Sequence, residues 1–118
     1  MPMISSSTEE LQLRNEASSA ALVTRDQGAT ILKLARERLR EGKPLRVDLT
    51  GVEAISPSFV DEFFGGLFEE LGEADFRLRV RIDCPSAPWR TLIRKVLSKR
   101  RERPKGLPLA LSATRDLS

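Results

Sequence analysis

Three patterns predict a single α/β domain in which helices pack mainly on one face of a mixed β-sheet of about four strands. Leu45, Val47 and Leu49 alternate with Arg46 and Asp48, and Phe76, Leu78, Val80 and Ile82 alternate with Arg77, Arg79 and Arg81. Such period-two alternation marks strands with one buried and one polar face. Between them, Pro57–Leu71 carries Phe59, Val60, Phe63, Phe64, Leu67, Phe68 and Leu71 along one broad apolar side, as a core-facing helix does. A strand, a helix and a strand at this spacing form a right-handed parallel crossover. The face bearing Arg77, Arg79 and Arg81 is then left to water or to a partner.

The remaining elements follow in chain order. Residues 1–10 are rich in serine and read as a flexible tail. Leu11–Leu13 and Ala20–Thr24 are short strand candidates separated by the turn-prone Arg14–Ser19 stretch. Asp26–Glu41 is the first long helix: Ile31, Leu32, Ala35 and Leu39 fall at helical spacing, Thr24 or Asp26 is placed to cap it, and Gly42 and Pro44 end it. The last helix, Ser86–Arg101, carries Trp89, Leu92, Ile93, Val96 and Leu97 as the stripe of a helix packed on a core. This makes three main helices. The domain spans 11–103, and 104–118 is a C-terminal tail in which Leu107–Leu111 is a candidate edge strand.

Composition removes whole classes of function. The 118 residues include no histidine, no tyrosine and one cysteine, Cys84. Without histidine there is no Ser-His-Asp or Cys-His nucleophile, no ordinary zinc site and no common general base. Asp48, Asp61, Glu62, Asp83 and Cys84 all fall near strand ends, but no pair of them has a reason to be catalytic, and Cys84 reads as a half-buried small residue. No catalytic residue, metal or cofactor is therefore expected. No apolar run approaches the roughly 18 residues of a membrane-spanning helix. The lone cysteine and the lack of an apolar leader segment fit a cytoplasmic location.

The net charge of +3 is unevenly spread. Eight cations crowd Arg90–Lys105 against Glu102 alone, whereas the middle of the chain carries the acids. A solvated helix end explains this, and so does a surface for nucleic acid or another anion. No tyrosine or phenylalanine accompanies the basic run for base stacking, which makes nucleic acid the weaker reading.

The corner where the Leu45–Leu49 strand gives way to the phenylalanine helix carries the functional expectation. Proline suits the first helical position, which puts Pro57 there and Ser56 at the N-cap. The other phasing makes Ser58 the cap with Asp61 three residues on; the first uses both residues' preferences. Open α/β sheets place ligand sites at the carboxyl ends of their strands, at corners of this kind. Gly65-Gly66 inside the helix costs about 1 kcal/mol per glycine relative to alanine, so a close approach to the sheet or to a partner is expected there.

These residues also carry a resemblance. The V-D-L-T-G-V run at 47–52, a short loop and a serine at a helix N-terminus resemble the STAS domain of anti-sigma-factor antagonists. VDLTGVEAISPSFVDEFFGGL, with its Ser58-Phe59-Val60-Asp61-Glu62 segment and the following FRLRVRI, is more closely similar to a bacterial STAS-like domain family of unknown function. The resemblance implies a regulatory, non-catalytic protein-binding module whose partner is a histidine-kinase-like ATPase; the sequence leaves the oligomeric state open, a homo-oligomer included. It implies docking through Ser56, Ser58, Phe59, Asp61 and Glu62, with Ser58 at the position of the antagonists' phospho-acceptor. The antagonists' D-S-[ST]-G pattern falls on Ser56, Pro57, Ser58 and Phe59, so only the acceptor position is kept. A phosphate there would also meet Asp61 and Glu62 within one turn.

Overall fold

A computed structural model describes residues 8–102. Strand β1 (Glu9–Gln12) leads into a short helix α1 (Leu13–Ala17), then strand β2 (Ala21–Leu22) and the long helix α2 (Arg25–Arg40). Strand β3 (Leu45–Asp48) is followed by β4 (Ala54–Ile55) and by a helical rod made of α3 (Pro57–Val60), a π-helical turn (Asp61–Gly65) and α4 (Gly66–Leu71). Helix α5 (Glu73–Arg79), strand β5 (Val80–Asp83) and helix α6 (Ala87–Glu102) complete the described chain.

The expected α/β architecture holds at the level of layers, with fewer residues in strands. One sheet has the order β1-β3-β5 and a second pairs β2 with β4, and every pairing is parallel. The sheet expected to be mixed is therefore parallel among the described residues. The reason is that each strand is reached from its neighbour through a helix, and a hairpin connection is absent from this part of the chain. Register places Glu10, Arg46 and Arg81 side by side, then Leu11, Val47 and Ile82, then Gln12, Asp48 and Asp83. Alternation thus gives one apolar face, with Leu11, Leu45, Val47 and Val80 buried under the helices. The other face is polar, and Arg46 bridges Glu10 and Asp83 across all three strands.

Two features of the sequence misled the element boundaries. The strand expected over Phe76–Ile82 begins only at Val80, because Gly72 (φ +83°) breaks the rod and α5 follows it. The Phe76 ring meets Phe68 edge-on at 5.4 Å, and Arg77 pairs with Glu73 one turn earlier. Phe76 and Val80 stand four apart and share the core side, while Leu78 is 79% exposed. Arg77 and Arg79 accordingly lie on a helix, and only Arg81 belongs to the sheet's polar face. At the other end, β1 takes Glu9 and Glu10 from the stretch expected as a tail, and Leu13 and the Arg14–Ala17 part of the expected turn form α1. Residues 1–7 of that tail lie outside the described residues, as do 104–118 with the Leu107–Leu111 strand candidate.

The rod explains its own π turn. Phe59, Phe63, Leu67 and Leu71 recur every four residues, as do Val60, Phe64 and Phe68. An α-helix turns about every 3.6 residues, so each four-residue step drifts by about 40° around the axis. The turn at Asp61–Gly65 is wider, because its hydrogen bonds span five residues, and it absorbs the drift. Phe59, Val60, Phe63, Phe64, Leu67 and Phe68 all remain buried as a result.

Glycines let the helices close on the rod. A Cβ on Gly66 would meet Leu32 of α2 at 2.7 Å, and one on Gly28 of α2 would meet the Glu62 Cβ at 2.9 Å and the Phe59 carbonyl at 3.2 Å. The close approach expected at Gly65-Gly66 is thus made to neighbouring helices and not to the sheet. Leucine tips can swing aside, whereas the Phe59 carbonyl belongs to a backbone. Gly28→Ala should therefore lower stability by about 1–2 kcal/mol in urea unfolding, despite alanine's better helix propensity. Phe76→Ala should cost about 3–5 kcal/mol. Leu78→Lys should stay within about 0.5 kcal/mol of the parent, whereas a strand reading that buries Leu78 requires a large loss.

Candidate functional site

The corner is built from two parallel strand-to-helix turns lying side by side. Ala21 and Leu22 of β2 pair with Ala54 and Ile55 of β4, and each strand runs directly into a helix N-terminus. At the first, Thr24 and Gln27 form a reciprocal capping box: the Gln27 N–H donates to Thr24 Oγ1 at 3.1 Å and the Thr24 N–H to Gln27 Oε1 at 3.0 Å. At the second, Ser56 is the N-cap with Pro57 at the first helical position, which is the phasing the sequence favours. Ser56 Oγ accepts from the Phe59 N–H at 3.1 Å and donates to the Val23 carbonyl at 2.8 Å. Its hydroxyl therefore joins the two corners, and both its donor and an acceptor are in use.

The other expected site residues divide sharply. Pro57 is exposed and Ser58 half-buried, and among the described residues Ser58 Oγ has no hydrogen-bond partner. Asp61 and Glu62 are partly exposed at the rim. Phe59, expected in the docking set, is 0% exposed and stacks on Phe63 with ring centroids 5.8 Å apart. Its side chain belongs to the core, because the first turn of the rod faces inward exactly where the broad apolar row begins.

Two arginines that sequence reasoning had not singled out hold this rim in place. Arg25, at the first position of α2, reaches Asp61 at 3.0 Å and Glu62 at 3.4 Å. Arg100, near the end of α6, reaches the other Asp61 oxygen at 3.0 Å and Glu69 at 2.7 Å. The same guanidinium donates to the carbonyls of Asp61 (3.1 Å) and Gly65 (3.4 Å), the two ends of the π turn. A Cβ on Gly65 would lie 2.9 Å from this group, so glycine leaves the space it fills. The available signals were a helical glycine, which costs stability unless something occupies its place, and a basic helix end with acids elsewhere to meet it.

The electrostatics follow from this pairing. Burial pushes the Asp61 carboxyl up, but Arg100 and Arg25 outweigh it and hold it below the usual carboxylate range. Burial likewise pulls the Arg100 guanidinium down, and Asp61 and Glu69 more than restore it. Asp61 is thus a fixed anion and a poor proton acceptor near neutrality. On the sheet's polar face, Thr50 donates from its hydroxyl (2.7 Å) and its N–H (3.0 Å) to Asp48, lowering that carboxyl too. Cys84 is buried, with its thiol 3.5 Å from the Ser86 carbonyl. Among the described residues no group of three or more His, Cys, Asp or Glu side chains is arranged to hold a metal, and no helix is long and apolar enough to cross a membrane.

Residues 27–82, from the first turn of α2 into β5, match the family model described as a STAS-like domain of unknown function (DUF4325). The likeness read from Val47–Leu71 is borne out, and the matched span contains the Ser56–Glu62 turn, whereas Val23, Thr24 and Arg25 of the neighbouring turn lie before it. No curated protein and no solved structure matches the chain.

Arg100→Gln should cost about 2 kcal/mol in urea unfolding, because it leaves two carboxylates and two carbonyls short of a charged donor. The depressed Asp61 carboxyl adds a pH signature. Its contribution is fully present above the unfolded value near 3.8 and fades as pH falls through the lower folded value. The stability gap between the parent and Asp61→Asn should therefore be widest near neutral pH and close on acidification below about pH 4. A gap independent of pH would remove the ion pairs as its source.

Proposed function

We propose that this chain is a non-catalytic regulatory module of the STAS-like type, which acts by docking a protein partner on the Ser56–Glu62 corner. The observation that carries this reading is Ser58: a half-exposed hydroxyl, without a partner among the described residues, on a turn made rigid from both sides. Ser56 caps and ties the turn, while Arg25 and Arg100 fix the acidic rim. A surface already held in its bound shape loses little entropy when a partner covers it. The contact set is Pro57, Ser58, Asp61 and Glu62, with Ser56 and Phe59 as its structural support.

The partner class follows from the resemblance to anti-sigma-factor antagonists: a histidine-kinase-like ATPase. Phosphorylation at Ser58 is an added means of release. A phosphate there would face Asp61 and Glu62, and Arg25 offsets part of that repulsion by pairing with both. Shape and charge at the corner carry recognition whether or not the hydroxyl is modified.

The test is a titration of the chain against histidine-kinase-like ATPases from its own genome, followed by calorimetry. Ser58→Glu and Glu62→Lys, both at the rim, should each weaken the complex about tenfold while leaving thermal unfolding nearly unchanged. Asp61 is a poor choice for this purpose because its loss would also release Arg100. Undiminished binding by both variants would take the corner out of the interface, and absence of any complex would take the ATPase out of the proposal.

A further inference from the structure

Beside the corner, the structure leaves a groove between Pro57 and the outer flank of α6. Leu92 and Val96, one helical turn apart, are half-buried and pack on the core from below, and Thr91 and Ser98 also line the groove. Its cations are Arg94, Lys95 and Lys99, all exposed. Among the described residues these three have no acidic partner, whereas Arg100 and Arg101 are paired with Asp61, Glu69 and Glu73. Helix α6 carries no acid before Glu102, so Arg94 and Lys95 have none within a turn on their own helix.

We propose that this groove takes an acidic amphipathic segment of the protein partner, one with two apolar side chains a helical turn apart and carboxylates flanking them. The inference rests on the docking reading above and extends it from the corner onto α6. Leu92 and Val96 match the spacing at which a helix presents its anchors. The three cations, without an acidic partner among the described residues, match carboxylates at the rim, where complementary charge mainly raises the encounter rate and selects the partner. Nucleic acid fits less well: phosphates would use the cations, but the apolar floor would gain nothing, and no aromatic ring lines the groove for a base to stack on. A second copy would bring the same cations against themselves. The chain's own residues 103–118 carry Arg103, Lys105 and Arg115 against Asp116, a net charge of the wrong sign.

The experiment is a two-dimensional amide NMR titration of the isotope-labelled full chain. The probe is a short helical peptide with two leucines one turn apart among glutamates; the controls are the same peptide with lysines for glutamates, and duplex DNA. The glutamate peptide should shift the amides of Thr91, Leu92, Lys95, Val96 and Lys99, and the lysine peptide should not. The Lys95→Glu/Lys99→Glu double variant should bind the glutamate peptide about tenfold more weakly, and Arg81→Glu, on the sheet, should bind it as the parent does. No shift with the glutamate peptide, equal binding of the lysine peptide, or stronger shifts of these amides with DNA would each overturn the proposal. The double variant titrated with the ATPase separates the two readings. If Ser58→Glu abolishes that complex while charge reversal on α6 leaves it intact, the groove falls and the corner stands. If the glutamate peptide binds but the ATPase does not, the proposed ATPase falls and the groove stands.

Discussion

One guanidinium closes this fold. Arg100 arrives from the far end of α6, enters the space that Gly65 leaves open, and bonds both ends of the π turn as well as Asp61 and Glu69. A π turn leaves backbone carbonyls poorly served, and a carbonyl away from water needs a donor. Supplying it from another helix makes a local irregularity into a tertiary joint. Through Asp61 the joint continues to Arg25 and hence to the first turn of α2. The three long helical elements meet at this point, and the corner at Ser56–Glu62 lies against it. With a side-chain exposure of only 16%, Arg100 works where solvent screens its partners far less than on an open surface.

The sequence disclosed the parts of the fold that rest on strong local rules. Thr24, Ser56 and Pro57 mark helix starts through hydrogen-bond chemistry that hardly depends on what lies beyond them, and all three stand where those rules put them. Leu45–Leu49 alternates and is buried as expected, because a central strand between two neighbours has its faces decided by packing. Phe76–Ile82 shows the limit. Seven residues of strict alternation also place Phe76 and Val80 on one helical side, and Gly72 with two acids after it begins a helix before the pattern starts. Length decided against the strand: only Val80–Asp83 runs alongside β3.

The candidate site was legible in its backbone and less so in its side chains. Ser58 and the rim acids were visible because they lie together in the chain. Arg25 and Arg100 stand 36 and 39 residues from Asp61, and no local rule pairs them. Phe59 was placed in the docking set by position alone, although the apolar row already offered it to the core. The period-four row in the rod carried the π turn in plain form, since a regular α-helix cannot keep such a row on one side.

The polar face of the sheet has a consequence for how the molecule moves before it binds. Glu10, Arg46, Asp48, Arg81 and Asp83 give that face near-balanced charge with a slight negative excess, and Arg46 is neutralised in place. The outer flank of α6, on the opposite layer, carries Arg94, Lys95 and Lys99, which have no acidic partner among the described residues. The two surfaces therefore differ in local charge, the sheet face being near balance and this flank of α6 positive. For the acidic partner segment proposed above, such a difference would favour approach along α6 over approach to the sheet. The gain is one of orientation during diffusion, and it fades as dissolved salt shortens the range of the field.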